Sequence, residues 1–209
     1  MAELLLAVRL VGFGPVDRVA ARVAIPEHQV APLLRHLEQS GWVTYREGPW
    51  SGWSLTAAGR AHGERLLATE VDSLGVRPRV RSLYERFLDL NPVVLDLCTR
   101  WQVRMAGPIG AGTDGSAATM SPNTHDDAAY DEQVIADLVT LHVDVRELLG
   151  ELASLTERFG RYRSLLDAAL DRVRAGEHDW FAKPVVESYH TVWFELHEQF
   201  LAALGLERG

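Results

Sequence analysis

Residues 25–67 read IPEHQVAPLLRHLEQSGWVTYREGPWSGWSLTAAGRAHGERLL, and the hydrophobic period changes twice along this stretch. From 27 to 40, Val30, Leu33, Leu34 and Leu37 recur at three- and four-residue intervals, which gathers them on one face of a helix. Gly41 follows as a C-terminal stop. Trp42-Val43-Thr44-Tyr45-Arg46 is β-branched and aromatic and predicts a strand. Glu47-Gly48-Pro49-Trp50-Ser51-Gly52 is a turn, and Trp53-Ser54-Leu55 predicts a second short strand. Thr56 is placed to cap a helix that passes Gly59 and runs to about residue 69. Upstream, 3–11 is an apolar helical segment, Gly12-Phe13-Gly14-Pro15 breaks it, and Val16, Val19, Ala20 and Val23 stand at helical spacing over 16–24. Ile25-Pro26 separates that helix from the next.

Three helices, a hairpin and a further helix within seventy residues is the order of a winged helix-turn-helix. Residues 25–67 resemble the winged-helix domain of MarR-like bacterial transcription regulators. The resemblance is carried by Val30, Leu33-Leu34, Leu37-Glu38 and Gly41-Trp42-Val43, then by Trp53-Ser54-Leu55-Thr56 and Gly59-Arg60. It covers about a third of the chain, and it implies a recognition helix at 27–40 followed by a wing. A helix in the major groove reads base edges through a few exposed side chains. On this helix His28, Gln29, Arg35 and His36 are the candidates, with Gln29 suited to adenine. Arg46 on the wing and Arg60 on the following helix are candidate phosphate contacts, with Arg18 and Arg22 beside them. The chain departs from the family pattern at Ala31 and Pro32, where related regulators offer small hydroxyl and basic residues, and at Glu27, Glu47 and Trp50. Those departures leave room for a winged helix that serves as a structural or protein-interaction scaffold.

The 209 residues suffice for one to two domains, and a hydrophobic fraction of 47% excludes a wholly disordered chain. No run of about 18 apolar residues suggests a membrane span. The start of the chain lacks the basic segment of a secretory signal, and the expected location is the cytoplasm. Cys98 is the single cysteine, which excludes an intrachain disulfide and a cysteine-rich zinc site. The net charge of -8 argues on its face against a nucleic-acid binder. Its distribution changes that. Residues 1–70 hold seven arginines and seven carboxylates, so the whole acidic excess lies beyond residue 70.

The expected division is a DNA-binding domain at 1–75 and a helical domain at 76–209 for ligand sensing, dimerisation or both. The fold class is mainly α with one small β-hairpin. Helices are predicted over 79–104, bent or interrupted at Asn91-Pro92, and over 130–158, 162–175 and 185–204, with an irregular loop at about 105–129. Trp101, Tyr189, Trp193 and Phe194 can wall an apolar ligand cavity, with Arg104, His142, His190 and His197 as polar fixtures; packing as core is the equal alternative. Glu187 and His190 form an E-x-x-H pair, but the second pair and the carboxylates of a di-iron bundle are missing. No metal and no cofactor is expected, although His142, His190 and His197 stay open as a mononuclear set. The glycine-rich segment 107–116 lacks the pattern of a phosphate-binding loop and reads as a surface connection. Asn123-Thr124-His125-Asp126-Asp127 reads as a helix cap rather than a metal site. The expected function is a homodimeric regulator that binds duplex DNA and responds to a small organic ligand, with no membrane partner. The alternative is a helical ligand-binding protein or enzyme whose winged helix is a scaffold.

Overall fold

The computed structural model describes residues 1–106 and 119–206. The protein is mainly α-helical, with two small two-stranded antiparallel sheets. The element order is α1 (Ala2–Val11), α2 (Val16–Val23), α3 (Glu27–Gln39), β1 (Val43–Arg46), β2 (Gly52–Leu55), α4 (Ala57–Ser73), α5 (Arg77–Gln102), β3 (Val103–Ala106), β4 (Thr119–Pro122), α6 (Ala128–Leu155), α7 (Gly160–Arg174), α8 (Asp179–Ala182) and α9 (Tyr189–Leu204). A 3-10 turn at Glu157–Phe159 joins α6 to α7. Among the described residues no helix is long and apolar enough to cross a membrane.

The chain divides into two compact units, Met1–Arg79 with His197–Gly209, and Val80–Leu196. In the first, α1 buries five consecutive residues, Leu4 to Val8. A helix apolar on all sides is a core element rather than a surface one. One side of it joins Val19, Val30, Leu34, Leu37, Val43 and Trp53; the other meets Leu67 of α4 and Ala202 of α9. Arg9, at the polar end of α1, lies between Glu64 of α4 and Glu198 of α9, with Nε 3.0 Å from Glu198 Oε2. The β1–β2 hairpin pairs Val43 with Leu55 and Arg46 with Gly52. Gly14 adds a third short strand position, exchanging backbone hydrogen bonds with Trp53. A Cβ on Gly52 would fall 2.8 Å from the Gly14 carbonyl carbon, so only glycine lets that backbone approach.

Thr56 caps α4 as its sequence suggested: Gly59 N donates to Thr56 Oγ1 at 3.0 Å, and the hydroxyl donates to the Gly41 carbonyl at 2.6 Å. Gly41 takes a φ of 73° just beyond α3, the left-handed stop expected there.

In the second unit, α5 and α6 run antiparallel. Arg86 pairs with Glu147 and Glu151, while Arg100, further along α5, pairs with Asp137, earlier on α6, at 2.7 Å. Val134, Leu138, Val145, Leu148, Leu149 and Leu152 form the buried stripe of α6. The part of α9 in this unit packs against three helices. Trp193 stacks on Phe87 of α5 and donates to Asn91 Oδ1, Tyr189 meets His142 of α6, and the Tyr162 hydroxyl of α7 donates to the Glu195 carbonyl.

Several expectations need correction. No break occurs at Pro92: α5 continues through it. Pro92 is exposed, and burial of Phe87, Val94 and Leu97 along the same helix offsets the cost of the hydrogen bond it cannot donate. The segment at 105–129 is not irregular throughout, because β4 and part of β3 lie within it and pair with each other in a second hairpin. Strands of only four residues are too short for their alternation to stand out as a periodic signal, and their stability comes from the cross-strand partner. The last helix starts at Tyr189 rather than 185, and the four-residue α8 precedes it. The glycine-rich segment 107–116 lies outside the described residues.

Candidate functional site

The first candidate surface is α3. Its buried face is Val30, Leu34 and Leu37. At 3.6 residues per turn, His28, Gln29, Pro32, Arg35, His36 and Gln39 fall within an arc of roughly 120° on the opposite side, and all six are exposed. Three residues, Ala24 to Pro26, separate α2 from α3, and Ala24 takes the left-handed conformation that turns the chain. Glu38, at the end of α3, accepts from Tyr45 N at 2.9 Å and so ties the helix to β1. The hairpin carries Arg46, whose guanidinium lies 5.5 Å from the Phe13 ring centroid, and a tip at which Trp50 is 84% exposed. Arg60 is exposed on the first turn of α4. A pocket of about 120 Å³ at the flank of α3 is lined by residues including Leu4, Val23, Val30 and the exposed Leu33 and His36.

The candidate ligand residues of the helical half do not share one set of contacts. Trp101 stacks on Phe181, Trp193 stacks on Phe87, and Tyr189 meets His142. Phe194 is 41% exposed, which corrects its expected place in a cavity wall. Arg104 on β3 lies 3.6 Å from Asp126 and 3.5 Å from Asp127, with its guanidinium near the Tyr130 ring, and its buried Nη1 makes no hydrogen bond among the described residues. His190 is half-buried and its pKa lies below the ordinary histidine value because of desolvation. His197 is half-buried and belongs to the first unit.

His142 is part of a buried polar chain. Its Nε2 is 2.8 Å from Asp167 Oδ1 on α7, its Nδ1 is 3.0 Å from the Tyr189 hydroxyl, and Arg146 Nε stands 3.4 Å from the same Asp167 oxygen. With Asp167 ionised, this network assigns the imidazole proton to Nε2, donating to Asp167, and makes Nδ1 the acceptor for Tyr189. Burial lowers the His142 pKa, opposed by the hydrogen bond to Asp167, and burial raises that of the Tyr189 phenol. Desolvation also pushes the nearby Cys98 thiol up to about 12, which makes it a poor nucleophile at neutral pH. The arrangement orients an imidazole and a phenol and keeps both neutral.

A pH dependence follows. The unfolded chain protonates His142 near the ordinary value of about 6.5, before the folded protein does. Stability is therefore present above that value and is lost as pH falls below it, until the folded pKa is passed. Unfolding free energy measured by denaturant from pH 7.5 downward should decline, and His142→Gln should remove part of the slope. An identical slope in the variant would refute the assignment. His190 shifts in the same direction and accounts for part of what remains.

A third cluster was not anticipated. Asp127 caps α6 by accepting from Tyr130 N at 3.1 Å, as expected of this segment, but the same segment also builds a polar site. His125 Nδ1 lies 2.9 Å from Asp131 Oδ2, Asn123 Nδ2 donates to Asp131 Oδ1 at 2.9 Å, and the His178 ring centroid is 4.7 Å from that of His125. Trp101 packs against both imidazoles. Among the described residues, this is the group of three histidine, cysteine or carboxylate side chains whose ligand atoms all lie within 4.8 Å of one another. It comprises none of His142, His190 and His197. No sequence motif marks it, because His125 precedes α6, Asp131 lies in its first turn and His178 follows α7.

Comparison with known protein families, with curated proteins and with solved structures finds no match, so the reading of this chain rests on its own residues.

Proposed function

We propose that the first unit is a MarR-like winged helix-turn-helix that binds duplex DNA, and that the protein acts as a homodimeric transcription regulator. The observation that carries this reading is the two-sided character of α3: an apolar face docked on the core and, opposite it, a continuous exposed arc bearing His28, Gln29, Arg35 and His36. The three-residue link from α2 and the hairpin whose sheet is extended by Gly14 agree with it. In this reading Gln29 and Arg35 reach base edges, and Arg46 and Arg60 contact phosphate. Self-association enters this reading because two recognition helices spaced by one turn of duplex multiply a weak individual contact. The second unit would transmit binding of a small organic ligand as a shift between dimers whose recognition helices fit the groove and dimers whose helices do not.

The test is a titration of the full chain against a labelled random duplex pool at several salt concentrations. The expected result is an affinity that falls steeply with salt and enrichment of a two-fold symmetric sequence. Arg35→Ala should weaken the selected complex by about 1–3 kcal/mol, with relaxed preference at one base position if it reads a base. Absence of binding at low salt would overturn the proposal, and unchanged affinity and preference in Arg35→Ala would remove that residue from the reading set.

A further inference from the structure

The geometry points to a binding site for one divalent transition-metal ion of the Zn²⁺ type, formed by His125, Asp131 and His178 in the second unit. It is independent of the DNA-binding reading.

The donor set selects the class of ion. Two imidazole nitrogens and one carboxylate oxygen suit Zn²⁺, which takes nitrogen and oxygen donors together; Mg²⁺ and Ca²⁺ favour oxygen alone. Three protein ligands leave a fourth position for water or a bound molecule. The donors already lie within 4.8 Å of one another. A tetrahedral Zn²⁺ brings its donors to about 3.3 Å apart, given bonds of about 2.0–2.1 Å. His178 is exposed, at a turn between α7 and α8, and has the freedom to make that approach.

The surroundings of the cluster match those of metal ligands. Asp131 is only 6% exposed, and one of its oxygens is held by the Asn123 amide, which leaves the other directed at His125. An outer hydrogen bond of this kind orients a ligating carboxylate. The Asn123 amide itself is tethered to the Trp101 carbonyl at 3.1 Å. The buried Trp101 ring, backed by Phe181 at 4.5 Å in a near-parallel stack, closes the site on one side with apolar surface. The exposed His178 and half-buried His125 leave the other side open to an incoming ion. Binding requires His125 to present Nδ1 as a lone pair, with its proton on Nε2, so the ion lies between Nδ1 and Asp131 Oδ2, which stand 2.9 Å apart.

The experiment uses the full chain, stripped with a chelator and dialysed. Calorimetric titration with Zn²⁺ alone should give one ion per chain, and Co²⁺ alone should give the visible absorption of a four- or five-coordinate site. His178→Gln, at an exposed position whose folding is checked by circular dichroism, should weaken Zn²⁺ binding at least 100-fold, more than the roughly 10–100-fold typical of removing an outer-shell partner. Asn123→Ala should fall within that outer-shell range, and His62→Gln, in the first unit, should bind as the wild type does. The proposal is overturned if the wild type takes up no Zn²⁺, or if folded His178→Gln binds with wild-type affinity. Equal affinity for Mg²⁺ or Ca²⁺ would overturn the assigned class of ion.

Discussion

Gly59→Ala is expected to destabilise the first unit by about 3 kcal/mol or more, at or beyond the upper end of typical overpacking costs. A Cβ at this position would stand 1.8 Å from the Trp42 carbonyl oxygen and 2.6 Å from its carbon. Both atoms belong to the backbone, so no side-chain rotation relieves the contact. The helix would have to lift away from the chain entering β1, and that movement breaks the joint made there. Thr56 N donates to the Trp42 carbonyl at 3.1 Å, and the Thr56 hydroxyl bridges Gly41 and Gly59. Denaturant titration followed by tryptophan fluorescence would measure the loss, since Trp42 and Trp53 both report on this unit. Thr56→Ala, which removes the cap without adding bulk, should cost only about 1 kcal/mol. If Gly59→Ala proved as mild as Thr56→Ala, the close approach of α4 to Trp42 would be wrong.

The second large effect is expected at Arg9. Its side chain is 7% exposed and joins Glu64 and Glu198, themselves substantially buried. Arg9→Met keeps the aliphatic stem but withdraws the positive charge from both carboxylates. Breaking a buried ion pair from one side costs about 3–5 kcal/mol, because the remaining charge stays in a poorly solvating place. Replacing Glu198, the more buried of the two partners, removes that carboxylate's share of the penalty and leaves the share of Glu64. Arg9→Met combined with Glu198→Gln should therefore be clearly more stable than Arg9→Met alone, by equilibrium unfolding at pH 7. A double variant no more stable than the single one would mean that Arg9 acts through packing rather than charge. Both residues belong to the first unit although they stand at opposite ends of the chain, so the pair also tests whether the end of α9 is needed to fold that unit.

Much of the first unit was legible from neighbouring residues. The spacing of Val30, Leu33, Leu34 and Leu37 defined α3, although Leu33 is 47% exposed and not part of the buried face; Gly41 marked the helix end, and Thr56 marked the start of α4. These features are local: helix periodicity, left-handed glycine and side-chain capping act within a few residues. At Pro92 the helix is not interrupted, because the local rule that disfavours proline is outweighed by burial of Phe87, Val94 and Leu97 along the rest of α5. The β3–β4 pairing went unread because each strand is stabilised by a partner across residues 107–118.

The candidate sites divide along the same line. Gln29, Arg35 and His36 could be placed on one face from spacing alone, and they are exposed together there. The aromatic and histidine residues of the helical half could not be grouped this way. His142 finds Asp167 and Tyr189, and His125 finds Asp131 and His178, through contacts between separate helices and turns. The amino-acid sequence by itself determined the elements of the first unit and the general course of the long helices, because helix periodicity, capping and turn-forming glycine are short-range properties of the backbone and its nearest side chains. The tertiary structure alone decided which charged and polar groups meet, because those meetings depend on how faces dock across long separations in the chain, and each buried polar group takes a partner from whatever element the packing brings beside it.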